Sequence, residues 1–360
     1  MNSTPPKVSP EFLLKQIQAH VDTQIGDLKV IPLAGDASNR SYYRLELNSK
    51  NSKGKTLVLM ALAEPEPFKQ SEEKESGQTE TTELPFINIQ KFLHTHGVAV
   101  PQVYYHDQKN GLIYLEDLGD RTFEKVAKNL PAAQIKLFYQ KAIDELIRIQ
   151  GCKSDGASSC IAFGRTYNHP LFVWEFNHFL EYGAEKNGGG RPALEDSVIF
   201  KETFNRISTI LAAEPTVLVH RDYHSRNLMV QGEDKLRVID FQDALLGPCQ
   251  YDLASLLRDA YMTLPEDLID GLIDYYIDQK EQKEKTTINH RQFRYLFDLV
   301  SLQRNMKAAG RFIFINLVKK NPDFLRYVPK ALKDISVNLN KYPELKALKS
   351  ALSRYLPELA

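Results

Sequence analysis

Apolar and polar positions in the first 115 residues form short runs separated by glycine-rich or polar breaks. Five of these runs have the length of β-strands and are either alternating or apolar throughout: 28–34, 41–47, 56–63, 103–106 and 111–115. Between the third and fourth runs, apolar residues recur at helical spacing across 84–96, and Gly97 is suited to end a helix. The pattern therefore predicts a five-stranded sheet with one intervening helix.

After Gly119 the pattern becomes mostly helical. Apolar residues recur every three or four positions from 132 to 150, which is the spacing of an amphipathic helix. Five further helices are predicted, at 171–185, 196–213, 251–261, 268–281 and 291–318. Only two strands are predicted in this part, 228–230 and 236–239, with a turn between them. The chain is therefore predicted to be an α+β protein.

These patterns divide the chain into three parts. We predict that residues 1–27 form a mainly helical N-terminal extension and that residues 28–116 form a small strand-rich domain. Within that domain, 64–83 is rich in Glu, Ser, Thr and Gln, so it is predicted to be a flexible acidic insertion. Residues 117–360 are predicted to form a larger helical domain.

The composition is ordinary for a globular protein, with 42% hydrophobic and 26% charged residues. The 46 basic residues balance the 46 acidic ones, so no overall charge favours nucleic acid or an anionic membrane. No apolar run is long enough to span a bilayer, and the N-terminal sequence lacks the pattern of a signal peptide. We therefore expect a cytoplasmic protein that binds neither nucleic acid nor membrane; no protein partner is indicated.

Candidate chemistry is concentrated in one short segment. The triplet His220-Arg221-Asp222 is followed five positions after the aspartate by Asn227, and thirteen positions later by Asp240. Phosphoryl transfer needs a carboxylate that orients the attacking hydroxyl and accepts its proton, which is the role predicted for Asp222. It also needs hard oxygen ligands for Mg²⁺, which Asn227 and Asp240 can supply. A hairpin between these two residues would bring both ligands together, and His220 and Arg221 are expected to brace the loop.

The segments 219–227 and 239–248 resemble the aminoglycoside phosphotransferase and choline kinase superfamily. More narrowly, the chain resembles bacterial anomeric kinases of N-acetylmuramate and N-acetylglucosamine, which act in cell-wall recycling. This resemblance implies a protein-kinase-like two-lobe fold, with a small five-stranded antiparallel lobe and a mostly helical lobe. It also implies an enzyme that uses ATP and Mg²⁺ to phosphorylate a sugar hydroxyl, with a small amino sugar as the acceptor.

The same resemblance implies a nucleotide site in the first domain. Gly35 would allow a turn to approach the phosphates, and Ser38 and Asn39 would donate hydrogen bonds to them, although an ordinary hairpin turn also favours such residues. Backbone groups of Glu116 and Leu118 would bind adenine.

The third predicted strand lacks the lysine that many kinases place there to bind phosphates. Arg40 is the first candidate for a replacement cation and Arg44 the second; the alternative for both is an exposed arginine at a strand edge. Asp252 resembles a buried family aspartate that steadies the catalytic loop, so its predicted role is structural.

Four residues are candidates for contact with the acceptor. His224 follows the predicted base by two residues, so it either lies near the phosphates or has a structural role. Asp243 either binds sugar hydroxyls or caps the next segment. Arg304 and Lys307 are three positions apart and so share one face of a predicted helix. They either pair with a carboxylate such as the lactyl group of N-acetylmuramate or form an interhelical ion pair.

The sequence also bears on activities other than that of an amino-sugar kinase. A protein kinase is disfavoured because no long activation segment or A-P-E motif follows Asp240. A phosphotransferase that acts on aminoglycosides or choline stays open, since the sequence alone does not locate the acceptor pocket. The missing strand lysine also leaves open a catalytically weak nucleotide-binding pseudokinase.

Overall fold

The computed structural model describes residues 8–33, 40–49, 53–62, 83–154 and 160–360. The chain divides into two compact units. The first comprises Met1–Ser71 and Ala99–Asp120, and the second comprises Glu72–Val98 and Arg121–Ala360. The first unit is built around a β-sheet and the second is mostly helical, so the predicted α+β class is confirmed. Within the described ranges, none of the helices is long and apolar enough to cross a membrane.

The first unit contains one antiparallel sheet with the strand order β1-β2-β3-β5-β4. Its strands are β1 (Ile25–Pro32), β2 (Ser41–Ser49), β3 (Lys53–Ala61), β4 (Val103–Asp107) and β5 (Leu112–Glu116). The prediction of five strands is confirmed. The first and third strands begin three residues earlier than predicted, because backbone pairing extends beyond the apolar stretch of each strand.

One face of this sheet is buried under helix α1 (Pro10–His20). Leu45 and Leu47 on β2 and Leu57 on β3 follow the period-two alternation of strands, and all are fully buried. Ser9 begins the helix, because its side chain accepts a hydrogen bond from the N–H of Phe12 at 3.3 Å. The helix thereby completes the core of the first unit.

The second unit contains ten α-helices among its described residues. They are α2 (Pro85–Thr95), α3 (Phe123–Ala127), α4 (Ala132–Gln150), α5 (His169–Phe179), α6 (Leu194–Ala212), α7 (Gln250–Leu257), α8 (Glu266–Glu284), α9 (His290–Lys319), α10 (Val328–Lys341) and α11 (Lys346–Leu352). Every helix expected from the apolar spacing is present. The helix predicted over 171–185 is interrupted, since α5 ends at Phe179 and a π-helical segment, Leu180–Gly189, follows it. The helices α3, α10 and α11 were not predicted.

Two small antiparallel sheets lie among these helices. In one, β6 (Thr216–Val219) pairs with β9 (Leu245–Pro248), and in the other, β7 (Leu228–Gln231) pairs with β8 (Lys235–Val238). The β7–β8 hairpin is the predicted one. The prediction of only two strands in this part is wrong, because β6 and β9 are four residues long and too short to show a period.

Helix α9 packs closely against α5. Gly310 on α9 makes this possible, because a Cβ atom at that position would lie only 2.8 Å from the Cα of Phe179. The close approach brings the polar residues one to two turns earlier on α9 beside those of α5. These residues form one side of the candidate active site.

Candidate active site

The segment that contains His220, Arg221 and Asp222 directly follows β6. The carboxylate of Asp252, on α7, accepts hydrogen bonds from the backbone N–H groups of His220 at 2.6 Å and Arg221 at 3.0 Å. Arg221 has a left-handed backbone with φ of 78°, which is uncommon for a residue other than glycine. The fully buried Asp252 therefore fixes a strained loop just before Asp222, which agrees with the structural role expected for it.

The structure brings the three principal predicted residues together. The side-chain amide of Asn227 donates to the backbone carbonyl of Asp222 at 2.9 Å and approaches the carboxylate of Asp240 at 3.3 Å. The backbone N–H of Ile239 donates to the carbonyl of Asn227 at 3.0 Å, which closes the hairpin end. Asp240 itself has a left-handed backbone with φ of 67°. The hairpin thus juxtaposes Asn227 and Asp240 beside the catalytic loop.

The donor set at this hairpin end fits a magnesium ion. Asn227 provides an amide oxygen and Asp240 a carboxylate, and Mg²⁺ prefers such hard oxygen ligands. Across the part of the chain that the structure describes, no group of three or more His, Cys, Asp or Glu side chains is arranged to hold a metal ion.

His220 and Arg221 brace the loop rather than face the hairpin ligands. A ring nitrogen of His220 lies 2.9 Å from the carbonyl oxygen of Ile239, one residue before Asp240. The Arg221 guanidinium lies 3.4 Å from a carboxylate oxygen of the buried Glu175. Both contacts tie the loop to neighbouring elements, as expected.

The carboxylate of Asp222 is half-buried and faces two cations of α9. Its Oδ1 lies 3.6 Å from Nη1 of Arg304. Burial alone would raise the pKa of Asp222, but the positive charges of Lys307 and Arg304 outweigh it and hold the pKa well below its usual value. Asp222 is therefore ionised at neutral pH.

Lys307 forms an ion pair between helices α9 and α5. Its Nζ lies 3.1 Å from Oε1 of Glu175, whose side chain is completely buried. Burial raises the pKa of Glu175 by itself, but Lys307 and Arg221 reverse this and lower it; Glu175 in turn raises the pKa of Lys307 against the effect of burial. The interhelical ion pair considered from the sequence is thus present for Lys307.

Glu175 is the residue that sequence reasoning missed. It accepts hydrogen bonds from the hydroxyl of Tyr167 and the side-chain amide of Gln303, both at 2.6 Å. The hydroxyls of Tyr167 and Tyr251 are 2.6 Å apart, which extends this network to α7. A single acidic residue within the apolar run 171–176 was the available signal, because burying a carboxylate requires several partners.

The other two acceptor candidates also lie near the loop. The ring of His224 contacts the ring of Tyr261 edge-on at 5.1 Å, and its Nδ1 is buried without a hydrogen-bond partner among the described residues. Burial outweighs the nearby carboxylates and lowers the pKa of His224, so its imidazole is neutral at pH 7. Asp243 is half-buried, and its carboxylate lies 3.4 Å from the side-chain amide of Gln242.

Residues expected to bind the nucleotide are only partly described. Gly35, Ser38 and Asn39 lie outside the described residues, and Arg40 directly precedes β2. Glu116 ends β5, where its backbone N–H donates to the carbonyl of Gln102 at 2.9 Å, and Leu118 follows two residues later with a buried side chain.

Arg44, the second candidate for a phosphate-binding cation, is engaged elsewhere within the first unit. Its guanidinium contacts the carboxylates of Asp117 at 2.6 Å and Asp120 at 2.8 Å. The hydrogen bonds to Asp120 and Asp117 raise the pKa of Arg44 above its usual value. Arg44 is therefore a tie between β2 and the segment after β5.

The model of the Phosphotransferase enzyme family matches residues 29–286, which include the catalytic loop, the β7–β8 hairpin and α7. The chain belongs to this phosphotransferase family.

Two curated relatives of this phosphotransferase are named N-acetylmuramate/N-acetylglucosamine kinase. The one from Neisseria meningitidis is 29% identical over 321 residues, which cover 89% of this chain and 88% of the relative. The one from Pseudomonas putida is 28% identical over 352 residues, which cover 93% of this chain and 94% of the relative.

The fold also agrees with that of solved phosphotransferases. The ADP-bound aminoglycoside phosphotransferase APH(2'')-Ib superimposes with a TM-score of 0.55 at 16% identity, covering 90% of this chain and 96% of that one. The predicted protein-kinase-like fold class is confirmed.

Proposed function

We propose that this phosphotransferase moves the γ-phosphate of ATP to a hydroxyl of an amino sugar, with N-acetylmuramate and N-acetylglucosamine as acceptors. The proposed setting is cell-wall recycling, and the proposed phosphorylated position is the anomeric hydroxyl. The observation that carries the proposal is the convergence of Asp222, Asn227 and Asp240 at one end of the β7–β8 hairpin.

In this reaction Asp222 is the catalytic base. The acceptor hydroxyl lies against its ionised carboxylate, which orients the oxygen and takes its proton as the new oxygen–phosphorus bond forms. The bond between the γ-phosphorus and the bridging oxygen breaks, and ADP leaves with the electron pair. Because the pKa of Asp222 is low, its carboxylate is ionised and ready to orient the acceptor hydroxyl. For the same reason, it releases the proton that it accepts to solvent.

Asn227 and Asp240 are the proposed magnesium ligands. A bound Mg²⁺ ion neutralises negative charge on the triphosphate. Gln242 supports this role, since its side-chain amide donates to Oδ1 of Asp240 at 2.7 Å and so helps to fix the carboxylate.

The remaining nucleotide and acceptor roles are proposals that come from the resemblance. The proposed phosphate-binding residues are Gly35, Ser38, Asn39 and Arg40, and the proposed adenine-binding residues are Glu116 and Leu118. On the acceptor side, the unpartnered Nδ1 of His224 supports a hydrogen bond to the acceptor or the phosphate. Asp243 is proposed to bind a sugar hydroxyl.

The charges beside Asp222 favour amino sugars over the alternative acceptors. Arg304 and Lys307 both act on the carboxylate of Asp222. Aminoglycosides and choline carry positive charge, which these two cations would repel. A neutral or acidic N-acetylated sugar meets no such repulsion.

The test is a turnover assay with Mg-ATP and a panel of acceptors: N-acetylmuramate, N-acetylglucosamine, kanamycin and choline. We expect turnover with the N-acetylated sugars alone. The variant Asp222→Asn should lower kcat by roughly 10²- to 10⁴-fold, whereas Asp278→Asn, the same change at an exposed position of α8, should not alter it. Turnover with kanamycin or choline only would overturn the acceptor assignment. Undiminished turnover by Asp222→Asn would overturn the catalytic one.

A further inference from the structure

Arg304 is held on one side only. Its Nη1 donates to the backbone carbonyl of Arg221 at 2.7 Å and approaches the hydroxyl of Tyr251 at 3.5 Å. Among the residues that the structure describes, Nε and Nη2 of Arg304 have no hydrogen-bond partner. The side chain is only 12% exposed, so these donors lie in a mostly enclosed place.

The two neighbouring cations differ from Arg304 in this respect. Lys307 and Arg221 both contact Oε1 of Glu175, at 3.1 and 3.4 Å. Glu175 is therefore the counter-ion of Lys307 and Arg221. It does not serve as a counter-ion for Arg304. Among the described residues, the carboxylate that Arg304 faces is that of Asp222, at 3.6 Å, which is beyond hydrogen-bond distance.

The unengaged edge of Arg304 has the geometry that suits a carboxylate. Nε–H and Nη2–H point in parallel from a rigid planar group, and they can bind both oxygens of a carboxylate at once. Low exposure strengthens such a bond, because little water competes for the donors. Because Nη1 of the same guanidinium lies 3.6 Å from Oδ1 of Asp222, Arg304 is close to the position proposed for the hydroxyl that this base activates.

We propose that the Nε–Nη2 edge of Arg304 is a carboxylate subsite for the acceptor, and that it sets the preference between acidic and neutral amino sugars. This rests on the proposed function, since the ligand is the acceptor of that reaction. The ligand is a sugar whose ring both accepts the phosphate and carries a substituent with a carboxylate group. A neutral acceptor leaves Arg304 to face Asp222 alone.

Lys307 has a different role in this arrangement. Its Nζ is paired with Glu175, which holds α9 against α5. It is a positioning residue for Arg304, one turn away on the same helix, and it does not select between acidic and neutral amino sugars. The two cations that look equivalent in the sequence thus separate into one that binds the carboxylate and one that is structural.

The experiment compares N-acetylmuramate with its methyl ester, which removes the carboxylate charge, in the parent and in Arg304→Gln. In the parent we expect kcat/KM to favour the acid by about 10- to 100-fold, the usual effect of hydrogen bonds to a charged group. Arg304→Gln should lose most of this preference, because glutamine has neither the charge nor the pair of parallel N–H donors. Arg304→Lys, which keeps the charge but not the planar edge, should be intermediate.

Calorimetric binding of the same two sugars supplies a readout that does not depend on turnover. Arg304-dependent binding of the acid without turnover of either sugar would sink the proposed function and leave the subsite standing. An acid-to-ester ratio near one in the parent, or one that Arg304→Gln leaves unchanged, would overturn the subsite. The control is Arg294→Gln, on the same helix, where Arg294 forms exposed ion pairs with Asp270 and Asp274; it should keep the parental ratio. Thermal unfolding of each variant checks that it is folded.

Discussion

The β7–β8 hairpin with its catalytic loop and the polar cluster between α5 and α9 are assembled in different ways. The hairpin brings Asn227 and Asp240 together through thirteen residues of continuous chain. The cluster joins Glu175 to Gln303 and Lys307, which are more than 120 residues away in sequence. The hairpin carries the proposed magnesium ligands, whereas the cluster lies beside Asp222 and contributes the charge of Lys307.

The site therefore rests on two kinds of structural support. The hairpin depends on short-range backbone pairing, so substitutions there should change the reaction more than the stability. The cluster depends on helix packing and buried charge, so substitutions there should change the stability of the fold as well. Single substitutions in the hairpin and in the cluster can separate these two behaviours.

Asp240→Asn removes the negative charge of the proposed magnesium ligand at the hairpin end but keeps the size of the side chain. We expect kcat/KM to fall on the order of 10²- to 10³-fold, the cost of losing a strong electrostatic contact in a transition state. The dependence of the rate on Mg²⁺ concentration should also shift to higher concentrations. Steady-state kinetics at several Mg²⁺ concentrations test this, with Asp278→Asn as the control. An unchanged Mg²⁺ dependence would contradict the assignment of Asp240 as a ligand.

Glu175→Gln removes the counter-ion of two buried cations. We expect the free energy of unfolding to fall by about 3 kcal/mol, because Lys307 and Arg221 would stay buried without a negative partner. Urea denaturation measures this. Glu202→Gln, the same change at an exposed position of α6, should have little effect. Equal stability of the two variants would mean that the buried pair contributes little.

Gly310→Ala tests the close packing of α9 on α5. The added methyl group would meet the backbone of Phe179 at 2.8 Å, so we expect a loss of about 1–3 kcal/mol in the free energy of unfolding. Gly271→Ala in α8 is the matched control, because no atom of the described residues lies within 4 Å of its Cβ position. There alanine should stabilise the helix by roughly 0.5–1 kcal/mol. Loss of stability in both variants would contradict the packing explanation.

Acid should reduce the stability of the fold by a smaller amount. Folding lowers the pKa values of Asp222 and Glu175. Both carboxylates therefore stabilise the folded protein at any pH above the pKa of an ordinary carboxyl group, which is about 4. This contribution is lost as the pH falls through the lower pKa values of the folded protein. We therefore expect the free energy of unfolding to decline below about pH 4, and Glu175→Gln should decline less steeply. Urea midpoints measured from pH 7 down to pH 3 test this; identical slopes would contradict it.

Sequence alone was sufficient for the parts of the molecule that depend on local pattern. Asp222, Asn227 and Asp240 follow a fixed order and spacing, and the hairpin between the last two is short enough to predict. The five strands of the first unit have apolar runs that alternate or are bounded by turns, so they were also recognisable.

Features that depend on distant contacts were not predictable. Arg44 looked like a cation available for phosphate until the structure placed Asp117 and Asp120 against it, more than 70 residues away. Glu175 has no signal except its apolar neighbours, and β6 and β9 are recognisable only by pairing with each other. Likewise, Lys307 differs from Arg304 in its contact with Glu175, which lies on another helix.

The most direct measurement is the single-turnover rate of phosphoryl transfer from bound ATP to N-acetylmuramate, in the parent and in Asp222→Asn. This rate reports the chemical step apart from acceptor binding and product release. We predict a fall of at least about 100-fold in Asp222→Asn, with nucleotide affinity preserved. An equal rate in the two proteins would contradict the placement of the reaction at Asp222.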